Sequence, residues 1–264
     1  MMTDRDNILA DLKWTVAAGA DEAVGEVPVD RLAARPEPAP AVPLQTVSVL
    51  PAIPFQTDPL PSAVPVRTAP AAAAPSLDGV DTLDALRERM AAYDCALKKG
   101  AQNLVFADGN PSADLMIVGE APGAEEDKTG LPFVGASGHL LDKMLASIGR
   151  DRTSVYISNV VPWRPPFNRK PSEEETALLA PFIRRHIALV RPKVLLLLGG
   201  SSVSALLGVG EGITRVRGKW YVYRDGDLEI PAFPSFHPAF LLRSPAQKKA
   251  AWSDFLTIKK ALSE

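Results

Sequence analysis

Residues 114–138, which read DLMIVGEAPGAEEDKTGLPFVGASG, decide the fold of this chain. The stretch opens with the apolar run 115–118, which is long enough for one buried strand and too short for a buried helix. Residues 119–138 then contain five glycines, two prolines and four carboxylates. A loop of this composition at the carboxyl end of a strand predicts a ligand site in an open α/β sheet. The alternative is an ordinary surface loop with solvated acids.

The composition limits what the protein can be. The 264 residues carry a net charge of −2 and are 46% hydrophobic, which is enough for one sizeable α/β domain. Cys95 is the only cysteine, so the chain cannot form an internal disulfide or a multi-cysteine metal site. No apolar run approaches about 18 residues, and the acidic N-terminus is unlike a secretory signal. We therefore expect a cytoplasmic protein that does not enter membranes.

Charge is unevenly distributed along the chain. Residues 1–75 carry five basic and nine acidic side chains, which leaves 24 basic and 22 acidic side chains for residues 76–264. That second balance is too small to predict nucleic-acid binding from global charge. Any such prediction has to rest on local groups of basic residues.

The first 76 residues differ from the rest in composition. Residues 1–20 predict a short helix with apolar side chains along one side. Residues 21–76 predict a disordered or semi-stiff linker, because 12 of the 25 prolines lie between positions 28 and 75. The helix is either a docking segment for a protein partner or a frayed terminus. The globular domain is expected at 77–264.

That domain alternates apolar runs with amphipathic segments, which predicts a three-layer α/β/α fold around a mostly parallel, four-stranded sheet. The predicted strands are 115–118, 155–161, 194–198 and 231–236. The predicted helices are 81–97, 139–148, 172–190, 199–208 and one that begins at 244. Weaker signals indicate a short strand at 104–106 and a hairpin of 219–223 with 228–230.

Three loops follow strands of this sheet and therefore share one of its edges. The side chains that they bring there are Glu120, Glu126, Asp127 and Phe133, then Asn159 and Asn168, then His237. A single histidine after a strand is usually structural, but this combination predicts a pocket for a planar polar ligand. The same loops carry Arg164, Arg169, Lys170 and Arg243, which either contact phosphate or form a solvated rim.

Four motifs within these loops carry a resemblance to a known family. They are GEAPG at 119–123, PFVG at 132–135, the run from Asn159 to Arg169 with RPP at 164–166, and HP at 237–238 followed by LLR at 241–243. In this order and spacing they resemble a family 4 uracil-DNA glycosylase, over roughly residues 95–255. Each motif alone is a weak signal, and the four in order are a strong one.

The resemblance implies how a uracil flipped out of the DNA helix would be held. Phe133 would stack under the base, and Asn159 would read its O4 and N3 edge. Glu126 stands where the family keeps a group that excludes the thymine methyl. Ala121 would line the uracil site at a position where better-known relatives carry an aspartate base.

The catalytic residues implied by the resemblance are His237 with Glu120 or Asn168. His237 would donate a hydrogen bond to O2 and stabilise the uracil anion as the glycosidic bond breaks. Either Glu120 or Asn168 would position the attacking water, and the sequence leaves that choice open.

The resemblance also implies a DNA-contacting set. Leu241 and Leu242 would wedge into the base stack, unless they are simple packing residues. The arginines expected to hold the phosphate backbone are Arg164, Arg169 and Arg243.

The chain departs from the family at the iron–sulfur cluster. The family usually holds a 4Fe-4S cluster on four cysteines, and only Cys95 stands at such a position, the others aligning with Ala92, Trp163 and Leu179. Because the cluster needs four thiolates or close substitutes, we predict that no cofactor or metal binds. Trp163 and Leu179 are then expected to fill the volume as ordinary core.

Three functions compete at this point. The first is a monomeric glycosylase that releases uracil from uracil-containing DNA and leaves an abasic site. The second is a catalytically impaired, glycosylase-like DNA-binding or scaffold protein. The third is a small-molecule enzyme that binds phosphate at residues 199–202, where a helix follows a strand. The joint presence of Glu120, Phe133, Asn159 and His237 favours the first.

Overall fold

The computed structural model describes residues 74–263. The predicted helix at 1–20 and all but the last three residues of the predicted 21–76 linker lie outside this range. The described part begins with an irregular segment that leads into the first helix at Leu83.

Six strands form a single sheet. In chain order they are β1 (Asp108–Gly109), β2 (Leu115–Gly119), β3 (Tyr156–Asn159), β4 (Val194–Leu198), β5 (Tyr221–Asp225) and β6 (Leu228–Ser235). Across the sheet their order is β1-β3-β2-β4-β6-β5. The four central strands run parallel, and the two edge strands pair antiparallel to their neighbours.

The prediction of a mostly parallel sheet is confirmed, but the predicted number of four strands is wrong. The two additional strands are the edges, whose only strand partner is one neighbour. An Asp-Gly pair is typical of turns, but Asp108 and Gly109 become β1 because they pair with Ile157 and Tyr156. The hairpin and the predicted 231–236 strand share one continuous element, since β6 pairs with β5 at its start and with β4 at its end.

Nine α-helices are present in residues 74–263. They are α1 (Leu83–Ala92), α2 (Ala96–Gly100), α3 (Ala124–Thr129), α4 (Ala136–Ser147), α5 (Glu173–Val190), α6 (Gly200–Leu207), α7 (Ile213–Val216), α8 (Pro238–Arg243) and α9 (Lys248–Ala261). None of these helices is long and apolar enough to cross a membrane.

Two local predictions need correction. The single helix expected at 81–97 is broken, because Tyr93 and Cys95 adopt extended backbone angles that end α1 and begin α2. The short strand expected at 104–106 does not form. Its backbone makes isolated bonds instead, with Val105 N donating to Pro162 O at 2.9 Å and Ser158 Oγ donating to Phe106 O at 2.8 Å.

Helices cover both faces of the sheet, as the three-layer prediction requires. Alternate side chains of β2 point to opposite faces, with Met116 and Val118 on one and Leu115 and Ile117 on the other. The first face packs against buried residues of α1, α5 and α6, and the second against those of α4 and α9. This burial on both faces explains why the central strands read as unbroken apolar runs.

The register places the strand ends together. Gly119 at the end of β2 is paired with Asn159 at the end of β3, and Leu198 at the end of β4 with Ser235 at the end of β6. The loops that follow these strands therefore emerge along one edge, which is where open α/β sheets bind ligands.

Candidate active site

A pocket of about 520 Å³ opens at this edge of the sheet. Every residue predicted to be catalytic or to bind substrate lines it, together with two of the arginines predicted to hold DNA. These residues are Glu120, Ala121, Glu126, Phe133, Asn159, Asn168, Arg169, His237 and Arg243. The loops after β2, β3 and β6 thus converge on one cavity.

Phe133 is held at the pocket wall by strong backbone restraints. Its φ of 54° lies in the left-handed region, which a bulky residue rarely adopts. Arg152 fixes this conformation by donating hydrogen bonds to the carbonyl oxygens of Pro132, at 3.1 Å, and of Phe133. Asp108 and Asp142 hold the guanidinium in turn, with N–O distances of 2.6 and 2.9 Å. No sequence signal marked Arg152, which lies in a turn outside the motifs.

Two glycines leave room for this arrangement. A Cβ on Gly138 would overlap the carbonyl oxygen of Phe133. A Cβ on Gly119 would overlap Oδ1 of Asn159 and lie 2.6 Å from Cζ of Phe133. Since real Cβ atoms do not approach so closely, both positions require glycine for the phenyl and amide groups to sit where they do.

Asn159 presents an unsatisfied acceptor to the pocket. The residue is only 5% exposed, and its Oδ1 atom is buried without a hydrogen-bond partner. It is the only buried side-chain oxygen or nitrogen of residues 74–263 in that state. Leaving such a group unpaired costs about 1–3 kcal/mol, so a ligand that donates a hydrogen bond here regains it.

His237 is a neutral donor in this structure. It caps α8, and its Nδ1 accepts a hydrogen bond from the backbone N of Ala239 at 3.1 Å, which places the ring proton on Nε2. The pKa of His237 is lowered from 6.5 to about 4, mainly by burial and also by the nearby Arg243 charge, while Glu126 partly opposes the shift. The imidazole is therefore uncharged near neutral pH.

The Phe133 and His237 rings face each other across part of the pocket. Their centroids lie 5.4 Å apart with planes inclined by 29°. The phenyl ring comes from the loop after β2 and the imidazole from the end of β6, so only the folded sheet brings them together.

Glu126 has a structural task that the sequence reading missed. One carboxylate oxygen accepts a hydrogen bond from Gly123 N at 3.1 Å. The other accepts from Val134 N and Gly135 N at 3.0 and 2.9 Å. The buried carboxylate thereby ties the start of α3 to the loop that carries Phe133. Three backbone donors occupy it, and the spacing of Glu126 three residues after Gly123, the helix N-cap, is the signal that predicts this.

The two residues proposed to position water differ in their surroundings. Glu120 is partly exposed at the pocket, and among residues 74–263 its carboxylate has no hydrogen-bond or ion-pair partner. Asn168 is exposed, and its Oδ1 accepts a hydrogen bond from Nε of Arg164 at 2.6 Å. Of the two, Glu120 is the one with free acceptor oxygens.

The predicted DNA-contacting arginines are partly engaged within the protein. Arg164 also lies 3.9 Å from the buried carboxylate of Asp127, and Arg169 makes a two-bond pair with Glu175 at 2.6 and 2.7 Å. Arg243 is exposed at the pocket rim. Arg243 is therefore the arginine of the three that presents an open guanidinium.

Of the two leucines predicted to wedge into the base stack, only Leu242 is exposed. Leu241 is 1% exposed and packs in a buried cluster with Phe236 and Ala251, so it is a core residue. Leu242 is 44% exposed and remains available to contact DNA. Adjacent helical positions point in different directions, which is why α8 buries one leucine and exposes the next.

Ser137 and Phe240 also line the pocket, although no role was predicted for them from the sequence, as does Lys170, a candidate phosphate contact. Ser137 comes from the first turn of α4, Lys170 from the loop before α5, and Phe240 from α8. Phe240 also packs on Phe236, with ring centroids 5.0 Å apart. It was not selected from the sequence, and its place between His237 and Leu241 in the last motif is the signal that could have identified it.

The residues at the family's cluster positions do not fit a four-iron cluster. Cys95, Trp163 and Leu179 are buried in one apolar cluster, whereas Ala92 is exposed. These positions offer a single thiol, whose pKa is raised by burial. Within residues 74–263 no group of three or more histidine, cysteine or acidic residues is placed to hold a metal ion.

Comparison with known proteins agrees with the geometry. The family model for the uracil DNA glycosylase superfamily matches residues 106–256. The type-4 uracil-DNA glycosylase of Sulfurisphaera tokodaii is 41% identical over 187 residues, covering 69% of this chain and 85% of that protein. The enzyme of the same name from Saccharolobus solfataricus is 39% identical over 190 residues, covering 70% and 88%. That from Thermotoga maritima is 42% identical over 151 residues, covering 57% and 77%.

Proposed function

The chain belongs to the type-4 uracil-DNA glycosylases of the uracil DNA glycosylase superfamily, and from this premise we propose that it removes uracil from DNA. Water attacks C1′ of the deoxyribose, the bond from C1′ to N1 breaks, and uracil leaves as an anion that then takes up a proton. The product is an abasic site. The observation that carries the proposal is the convergence of Phe133, Asn159 and His237 on one pocket.

The unpaired oxygen of Asn159 supports uracil as the bound base. Uracil N3–H would donate to Oδ1, and the Nδ2 group of the same amide would donate to O4. Cytosine has an acceptor at N3 and an amino group at position 4, so the same amide would face acceptor with acceptor and donor with donor. Phe133 would supply the stacking surface, which is worth about 1–3 kcal/mol per base.

His237 would act on the developing charge. As the glycosidic bond breaks, negative charge accumulates on O2, and the Nε2–H of the neutral imidazole would donate to it. A neutral donor serves here because burial and the Arg243 charge already disfavour the imidazolium form. Loss of one such donor typically lowers the rate by about 10²- to 10³-fold.

Glu120 is the stronger candidate for positioning the attacking water. Its carboxylate lines the pocket with free oxygens, whereas the Asn168 oxygen is taken by Arg164. Glu126 and Ala121 would shape the site around uracil C5, Glu126 acting through the loop that it fixes. Arg243 and Leu242 would contact the DNA outside the pocket, with Arg164 and Arg169 contributing after they exchange their internal partners for phosphate.

We further propose that the chain works without the iron–sulfur cluster usual in its family. Apolar packing of Trp163 and Leu179 beside Cys95 would take over the role of the cluster in holding the adjacent loops. Protein purified without oxygen is then expected to contain neither iron nor acid-labile sulfide in stoichiometric amounts. One cluster per chain in that measurement would overturn this proposal.

The remaining proposals concern the binding partners, the cellular location and the oligomeric state. The partner is uracil-containing DNA in the cytoplasm, and one chain contains every residue that the mechanism uses. A protein partner for the N-terminal segment stays a proposal, as does the monomeric state. Gel filtration with light scattering tests the latter directly.

The proposed activity is tested with a labelled oligonucleotide that contains one uracil, incubated with the protein and then cleaved with alkali. The parent should give a strand break, and Asn159→Ala and His237→Ala should lose most of it. Asn110→Ala and His139→Ala are matched controls, since both side chains are exposed and neither lines the pocket. Absence of cleavage by the parent on single and double strands would favour the scaffold alternative.

A further inference from the structure

Phe167 is an exposed aromatic side chain that the proposed mechanism does not use. It is 99% exposed, whereas the other exposed large hydrophobic residues of the described part lie between 42% and 48%. A fully solvated phenyl ring contributes no burial of apolar surface to folding. We therefore expect it to contact a binding partner outside the chain.

The loop holds Phe167 in this position at a conformational cost. Phe167 and Asn168 both have positive φ, 56° and 55°, a conformation that asparagine tolerates and that is unfavourable for phenylalanine. Backbone bonds from Asn168 N to Pro165 O and from Arg169 N to Pro166 O, both 3.1 Å, close the tight turn. The bond from Arg164 to Asn168 secures the turn through its side chains.

The location of the turn identifies what the ring can meet. Pro165, Asn168, Arg169 and Lys170 all line the active-site pocket, so Phe167 projects from the middle of its rim. Basic residues flank it along the chain, with Arg164, Arg169 and Lys170 within three residues. Arg164 and Arg169 would leave Asp127 and Glu175 to contact phosphate. An aromatic ring among basic side chains is the usual arrangement for stacking on an unpaired nucleobase while cations contact the backbone.

We propose that Phe167 stacks on the nucleobase next to the flipped uracil, on the same DNA strand. This inference rests on the proposed glycosylase function and extends it to the base beside the target. Phe133 would hold the target inside the pocket and Phe167 its neighbour outside. The neighbour must be free to unstack, so the contact should favour uracil in single strands over uracil in a fully paired duplex.

The test uses a single-stranded oligonucleotide with 2′-fluoro-deoxyuridine, which resists cleavage, and measures binding by fluorescence anisotropy. Stacking of this kind predicts that Phe167→Ala raises Kd by about 5- to 150-fold, while Phe167→Trp stays within a few-fold of the parent. Leu256→Ala is the control, because it removes a 43% exposed side chain from α9. The single-turnover cleavage rate at saturating Phe167→Ala should match the parent, since the ring is outside the pocket.

A second set of oligonucleotides locates the contact. An abasic spacer placed 5′ or 3′ of the uracil should abolish the difference between parent and Phe167→Ala on one side only. Equal Kd values for the two proteins on all oligonucleotides would overturn the inference, as would a difference that survives both spacers. If the parent itself fails to cleave ordinary uracil DNA, it is the proposed function that fails, whatever the binding result.

Discussion

The Phe133 ring lies 5.4 Å from the His237 ring, centroid to centroid, at an angle of 29°. The two residues are 104 positions apart in the sequence and come from the segments that follow two different strands, β2 and β6. Arg152 and Glu126 fix the phenyl side of this pair, and the Ala239 backbone fixes the imidazole side. The pair thus gives the pocket a rigid wall before any base enters.

Replacing Gly138 with alanine should displace Phe133. The added Cβ would overlap the Phe133 carbonyl oxygen, which Arg152 also holds, so the loop must move. We expect Gly138→Ala to lower single-turnover uracil excision at least about tenfold and to reduce stability by about 1–3 kcal/mol, the usual cost of overpacking. Both are measured in one series, by the alkali assay and by chemical unfolding. Gly100→Ala is the control, since nothing lies within 4 Å of a Cβ atom added at that position. Equal excision rates and equal stabilities of the two variants would contradict the close contact at Gly138.

Replacing Asn159 with aspartate should change which base is accepted. The carboxylate keeps an acceptor for N3–H of uracil but loses the donor to O4, and it can accept from the amino group of cytosine. We expect excision of uracil to fall by about 10- to 100-fold and the ratio of cytosine to uracil excision to rise. Oligonucleotides with either base are compared in the same assay. Asn110→Asp is the control, and an unchanged base ratio in Asn159→Asp would show that this amide does not read the base.

The contribution of His237 to catalysis should be independent of pH across the neutral range. Its pKa is lowered to about 4, mainly by burial, so the ring is neutral and its Nε2–H is present from about pH 5.5 upward. The ratio of single-turnover rates of the parent and His237→Ala should therefore stay constant between about pH 5.5 and 8.5. A ratio that changes with a midpoint near 6.5 would mean that the imidazolium takes part.

The buried His186 should make stability depend on pH in acid. The Nε2 atom of His186 and the Tyr156 hydroxyl share a hydrogen bond of 2.8 Å. Burial is the main reason why the pKa of His186 is lowered to about 3. In the unfolded chain His186 takes up a proton near pH 6.5, whereas in the folded protein it stays neutral down to about pH 3. The free energy of unfolding is therefore undiminished by this residue above pH 6.5 and falls as the pH drops from 6.5 towards 3. His186→Gln should remove up to about 1.4 kcal/mol per pH unit from that slope, measured by chemical unfolding between pH 6 and 4. His139→Gln alters an exposed ring and should leave the slope unchanged; an equal slope for His186→Gln would contradict the assignment.

The local elements were predictable where a short run of residues contains the whole cause. The central strands read as apolar runs because helices cover both faces. The α5 helix begins where the sequence predicts it, since Ser172 and Glu175 exchange capping bonds of 3.1 and 2.8 Å. The edge strand β1 was missed because Asp108 and Gly109 become a strand only when a distant partner pairs with them, whereas the other edge, β5, was predicted as one arm of a hairpin.

The sequence by itself determined which loops form the pocket, because parallel strands must deliver their following loops to one edge of the sheet. Only the tertiary structure decided how those residues are used. In the folded protein Glu126 accepts hydrogen bonds from the loop backbone, and Leu241 is buried. Arg164 and Arg169 contact partners within the protein. Asn159 and Glu120 keep acceptor oxygens without a hydrogen-bond partner among residues 74–263. The physical reason is that hydrogen-bond partners and burial arise from segments far apart in the chain, whereas strand direction and loop order are properties of the sequence pattern.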